Sequence, residues 1–180
     1  MTDVILTHLH FDHTGGSTMF VDGKLEPTFP NAKYYIQKKH WEYAQHPTER
    51  DRASFLPENY QPLADKGLLT FVEGEVELFP GIEIITIHGH TTSLQLPKIS
   101  DGTTTILFCS DLVPLTGHLA YPSILGYDLF PLTTLEEKKQ IFRKAFDEQW
   151  ILLLEHDPQV QAVTLKQGAK GFEVDKTIVI

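Results

Sequence analysis

The stretch Thr7-His8-Leu9-His10-Phe11-Asp12-His13-Thr14-Gly15-Gly16 places three imidazoles and one carboxylate within six residues. In extended backbone the side chains of His8 and His10 point to one face, so both can reach one cation. Asp12 and His13 follow where the chain turns, and aim at a neighbouring point. Neutral imidazole and carboxylate are the donors that borderline divalent ions such as Zn²⁺ accept. Idle polar residues on an exposed turn would not explain why further His and Asp residues recur where apolar runs end. His90 stands in Ile87-His88-Gly89-His90-Thr91, with His88 competing for the same role. Asp111 follows the run Ile106 to Cys109, and His156 stands in Glu155-His156-Asp157-Pro158. Singly, Asp111 reads as a cap on a strand or helix and His156 is only suggestive. Jointly, His8, His10, Asp12, His13, His90, Asp111 and His156 are too many ligands for one tetrahedral zinc and suit a dinuclear cluster.

Two such ions, held about 3.5–4 Å apart, deprotonate a bridging water near neutral pH and polarise a substrate oxygen. For an ester or lactone the hydroxide attacks the carbonyl carbon, and the ions stabilise the oxyanion. No protein nucleophile is then required. None is evident, since the chain has no Gly-x-Ser-x-Gly elbow and Cys109 lies in an apolar run that disfavours a thiolate. Asp12 and Asp111 carry the catalytic weight in this reading. Asp12 is also placed to shuttle a proton to the leaving alcohol, although its plain role is that of a ligand. His118, Tyr121 and Tyr127 follow Asp111 and are candidates to line a substrate pocket, although ordinary packing or surface exposure is the favoured reading of each.

The elements that must position these groups are short. Asp3 to Thr7 reads as a strand delivering its carboxyl end to the His-rich turn, with Gly15 and Gly16 marking the exit. Lys33 to Ile36 is a strand and Lys38 to Gln45 a helix. Pro47, Pro57 and Pro62 break the next segment into helical turns. Leu69 to Val72, Glu77 to Phe79 and Ile82 to Ile87 read as strands, as do Thr103 to Cys109 and Ile151 to Leu154. Thr133 or Thr134 can cap a helix bearing Leu135, Ile141, Phe142, Ala145 and Phe146 on one stripe.

The 180 residues read as one domain, 1–180. A net charge of −9 disfavours a nucleic-acid partner. The single cysteine calls for no oxidising compartment, and no apolar run approaches a signal peptide or the roughly 20 residues of a membrane span. A cytoplasmic protein acting on a small molecule, away from membranes, is expected.

Thr7 to Gly16 resembles the HxHxDH signature of the metallo-β-lactamase superfamily. Gly89-His90-Thr91, Ser110-Asp111 and Glu155-His156-Asp157-Pro158 resemble its later ligand motifs, in the same order. Phe29 to Tyr60 and Gly126-Tyr127-Asp128-Leu129-Phe130-Pro131 are similar to the branch that includes quorum-quenching N-acyl homoserine lactonases of the YtnP type. The resemblance implies an α/β fold, the αββα sandwich. It implies that His8, His10 and His90 hold one ion, that Asp12, His13 and His156 hold the other, and that Asp111 bridges them. Zinc is the default, with manganese and iron using similar ligands. The implied reaction is opening of an ester or lactone, with an N-acyl homoserine lactone as one substrate. Phosphodiester cleavage is an alternative that the charge disfavours. A redox di-iron role is disfavoured by the imidazole at His10. The usual Gly-His-Thr-Pro-Gly continues here as Thr92 and Ser93. Relatives also carry a β-region ahead of the HxHxDH strand, which here starts at Met1. An amino-terminally truncated sandwich is therefore expected, closed by a two-fold homodimer or left as a metal-binding relative of little activity.

Overall fold

The computed structural model describes residues 1–180, which form two compact units. The first comprises Met1–Gly74 and Thr92–Gln95. Its centre is a three-stranded parallel sheet in the order β1 (Asp3–Ile5), β4 (Lys33–Gln37), β5 (Leu69–Val72). In β4 the residues Tyr34, Tyr35, Ile36 and Gln37 are all buried, the near-continuous apolar run of a strand covered on both faces. Leu6, Leu9, Tyr34, Ile36, Phe55, Tyr60 and Leu63 form the core around it. The buried Gln37 amide is satisfied by Gly74, donating to its carbonyl at 2.8 Å and accepting from its N–H at 2.9 Å.

The His-rich segment leaves β1 and enters a short helix, α1 (Phe11–Thr14), followed by a 3-10 turn over Gly15–Ser17. Gly15 is right-handed helical, so the exit is a helical turn and not the glycine-dependent bend expected from the sequence. A hairpin follows, β2 (Thr18–Val21) and β3 (Lys24–Pro27), unnoticed in the sequence reading. Its signal was present: Asp22 and Gly23 have φ of 51° and 76°, the paired left-handed residues of a tight hairpin turn. The helix α2 spans Lys38–Gln45, as expected, and α3 spans Gln61–Asp65.

The second unit comprises Glu75–Thr91 and Leu96–Ile180. Its strands are β6 (Val76–Phe79), β7 (Ile82–Ile87), β8 (Leu94–Ser100, whose first two residues belong to the first unit), β9 (Thr105–Phe108), β10 (Ile151–Leu153), β11 (Ala162–Gly168) and β12 (Gly171–Ile178). They form one mixed sheet in the order β12-β11-β10-β9-β8-β7-β6. β10 pairs with β9 in parallel, so Cys109 and Leu154 emerge together at the carboxyl ends of adjacent strands. That is where Asp111 and His156 follow.

The long helix α4 runs Pro131–Asp147 and buries Thr134, Lys138, Ile141, Phe142 and Ala145. It starts earlier than the expected caps at Thr133 or Thr134. Pro131 occupies the first turn, where its fixed φ suits a helix and its missing N–H is no loss. The Thr134 hydroxyl instead donates to Asp128 at 2.6 Å. Lys138 joins the buried stripe because its ammonium donates to the carbonyls of Ala120 and Ser123, at 2.9 and 2.8 Å. No helix is long and apolar enough to cross a membrane.

Candidate metal centre

Within the first unit, β1 ends at Ile5 and the chain runs on through Leu6 to His10 with its backbone still anchored. The Leu6 N–H donates to the Tyr35 carbonyl at 3.0 Å, and the Gln95 N–H donates to the Thr7 carbonyl at 2.9 Å. Alternation then sends Leu9 into the core, with no exposure, and turns His8 and His10 the other way. His8 Nε2 lies 3.1 Å from His10 Nδ1, so two ring nitrogens converge. The Phe55 ring meets His10 edge-on at 4.9 Å between centroids and fixes its plane. One helical turn carries Asp12 and His13 forward. The His13 ring sits 4.0 Å from that of His8, and its Nε2 is 3.7 Å from an Asp12 carboxylate oxygen. The Asp12 side chain is 43% exposed while that of His13 is nearly buried. The unit thus presents two adjoining pairs, His8 with His10 and Asp12 with His13.

The second unit presents two imidazoles on one carboxylate. His90 Nε2 lies 3.0 Å from Asp111 Oδ2, and His156 Nε2 lies 3.2 Å from Asp111 Oδ1. One carboxylate therefore offers a different oxygen to each imidazole, the arrangement by which a carboxylate serves two cations. Asp111 sits in a 3-10 turn over Ser110–Leu112, and Ser110 adopts φ of 44°, a strained left-handed conformation for a residue with a Cβ. His88 and His90 part company here. The His88 side chain is exposed, while His90 is buried between Asp111 and Asp128. Their loop is docked on α4: Glu137 accepts from the N–H groups of His88 and Gly89 at 2.6 and 3.0 Å, and the Phe130 N–H donates to the Gly89 carbonyl at 2.8 Å. A Cβ on Gly89 would lie 2.2 Å from Thr134 Oγ1, so only glycine permits this approach.

Asp128 is the residue that sequence reasoning missed. Its Oδ1 lies 2.9 Å from His90 Nδ1, and its Oδ2 accepts from Thr134. A carboxylate on Nδ1 holds a proton there and would turn Nε2 towards a metal. Only its place beside Tyr127 in the stretch 126–131 hinted at a role. Glu155 was also passed over. Its carboxylate lies 3.6 Å from His156 Nε2.

The donor chemistry fits divalent metal. Burial alone would lower the His90 pKa, but hydrogen bonds and charge from Asp111 and Asp128 raise it to about 9. Two carboxylates facing one imidazole favour positive charge there. Cys109 is wholly buried and its thiol is pushed far up, by burial and by the Glu155 charge, which excludes it as a nucleophile at neutral pH.

The proposed pocket residues are placed less tightly. His118 lies in a 3-10 turn over Thr116–His118, its pKa lowered by burial and by Lys138, against the raising effect of Asp128 and Asp111. The Tyr121 ring packs over Gly171, where an added Cβ would lie 2.8 Å from it, and meets Phe172 edge-on. Tyr127 is 78% exposed.

Comparison with known proteins gives a consistent pattern. The family model described as the Metallo-beta-lactamase superfamily matches residues 2–156. An N-acyl homoserine lactonase of Bacillus cereus is 31% identical over 179 residues, taking in 94% of this chain and 59% of that protein. Another, from a Bacillus species, is 32% identical over 93 residues, 51% of this chain and 30% of the relative. A probable metal-dependent hydrolase from Staphylococcus aureus superposes with a TM-score of 0.85 at 25% identity, covering 99% of this chain and 64% of that one. AidC, described as a dizinc quorum-quenching lactonase in complex with a product, superposes with a TM-score of 0.82 at 22% identity, a likeness of fold that covers 100% of this chain and 65% of that one. The chain thus spans 30% and 59% of the length of the two curated relatives.

Proposed function

This chain belongs to the metallo-beta-lactamase superfamily, and on that premise we propose that it is a metal-dependent hydrolase that opens esters, with lactones as the favoured class. The observation that carries this reading is the pairing of donors. Asp111 turns one oxygen to His90 and the other to His156, and the first unit offers His8 with His10 beside Asp12 with His13. Two pairs in the first unit, and two imidazoles on one carboxylate in the second, match two ions. In this reading His8, His10 and His90 hold one, Asp12, His13 and His156 the other, and Asp111 serves both. Zinc suits this donor set.

A pair of divalent ions supplies Lewis acidity, lowering the pKa of water towards neutrality and polarising a carbonyl oxygen. The chain's own contribution is to hold its donors in place and oriented. Asp128 accepts from His90 Nδ1–H and so holds the Nε2 lone pair forward. The backbone anchors on Leu6 and Thr7 hold the His8 and His10 nitrogens together. Asp12, half in solvent, takes up the proton released during attack and returns it to the leaving alkoxide. Cys109 takes no part.

An N-acyl homoserine lactone is the specific substrate proposed, supported by the names of the curated relatives. The test is turnover by purified protein of matched lactone, thioester and phosphodiester panels, with and without a chelator. Chelator-sensitive lactone opening with no acyl-enzyme in the mass spectrum is expected. A trapped acyl-enzyme, or turnover undiminished by chelation, would overturn the proposal.

A further inference from the structure

His40 takes no part in the site described above, yet it is fully buried beneath it. It is the third residue of α2, which follows β4 without a loop, so the helix start delivers its ring under the strap Leu6–His10. The Leu9 N–H donates to His40 Nε2 at 2.9 Å, and His40 Nδ1 lies 2.6 Å from the Thr92 carbonyl oxygen. An N–H can only donate and a carbonyl can only accept. His40 is therefore neutral and carries its proton on Nδ1. Leu9 stands between His8 and His10, so its peptide fixes the turn of both rings.

We propose that His40 is a positioning residue of the metal centre, holding the Leu9 amide so that His8 Nε2 and His10 Nδ1 converge; this rests on the reading of His8 and His10 as ligands. Strand pairing ends at Ile5, and from there three residues, Tyr35, Gln95 and His40, anchor the backbone. Tyr35 takes the Leu6 N–H, and Gln95 takes the Leu6 carbonyl through its side chain at 2.7 Å and the Thr7 carbonyl through its backbone. The Leu9 N–H depends on His40. Without an acceptor that buried donor must rotate towards another or admit water, and either rotation moves the imidazoles on both sides. The ring's neighbours fit a held orientation, since His40 meets His8 edge-on at 6.1 Å and lies 5.8 Å from Phe55.

Two variants divide the roles of the two nitrogens. His40→Gln can place its amide oxygen where Nε2 stood and keep the Leu9 bond. His40→Asn reaches only the Nδ1 position and keeps the Thr92 bond alone. Zinc affinity of metal-free protein, measured by chelator competition, should fall about 10- to 100-fold in H40N and stay within about threefold of wild type in H40Q. The visible spectrum of the cobalt-loaded protein should shift in H40N and be restored in H40Q. Amide exchange at Leu9, read by NMR without metal, should quicken in H40N alone. Equal losses in both variants, or no loss in H40N, would overturn the inference and leave His40 a core histidine. If wild-type protein binds no zinc, the metal-centre reading fails and this inference falls with it; zinc binding by wild type with the two variants alike overturns this inference alone.

Discussion

Replacing Asp128 by Asn keeps the shape of a wholly buried side chain and removes its charge. The amide oxygen can still accept from His90 Nδ1, and the Thr134 hydroxyl can reverse to accept from the new NH₂ group, so neither neighbour is orphaned. What is lost is the charge on a 2.9 Å bond behind a proposed ligand. Replacing the partner behind a ligating histidine typically costs 10- to 100-fold in metal affinity, or about 1.4–2.7 kcal/mol. A second effect opposes the first. With a pKa of about 9, His90 is protonated in metal-free protein near neutral pH. Displacing that proton at about pH 7 costs roughly two pKa units, about 2.7 kcal/mol. Removing the Asp128 charge lowers the His90 pKa and with it this cost. The zinc affinity of D128N should therefore fall further below wild type at about pH 9.5 than at about pH 7. Chelator competition at the two pH values measures both quantities. D128N that binds zinc at the higher pH as tightly as wild type would refute the role given to Asp128.

In wild type, apparent zinc affinity should climb with pH and level off near the His90 pKa of about 9; a flat profile would contradict proton competition at that site. Because that pKa is raised from its ordinary 6.5, His90 stabilises the metal-free fold fully below 6.5 and loses this contribution as pH rises through 9, which thermal melting in a pH series reads. Gly89→Ala drives a Cβ to 2.2 and 2.4 Å from Thr134 Oγ1 and N; it should cost about 1–3 kcal/mol by denaturant titration and lower zinc affinity, since His90 is the next residue. Cys109→Ala should lose about 1 kcal/mol of stability and keep its ester hydrolysis, and a metal-loaded but inactive variant would return the thiol to the mechanism.

The proposed ligands stood out in the sequence because metal chemistry needs particular side chains at close spacing, and His8 to His13 packs them into one turn. Strand ends carrying Asp111 and His156 were legible for the same reason, with the apolar runs of β9 and β10 pointing at them. The α/β class was expected from the family resemblance that those motifs carry. Residues that act through another residue were not legible. Asp128 comes 38 positions after His90, and His40 comes 31 after Leu9, and each reaches its partner only through the fold. β8 went unread because Pro97 sits inside it, a residue that argues against a central strand. The start of α4 was misplaced because Thr134 looks like a cap in sequence, while its hydroxyl is spent on Asp128.

His8, His10, Asp12, His13, His90, Asp111 and His156 are proposed to hold two ions. Elemental analysis of protein purified without chelators, and again after reconstitution, tests this most directly. Two equivalents of metal per chain are predicted, falling in an Asp111→Ala variant. One equivalent or less after reconstitution, or two retained by Asp111→Ala, would contradict it.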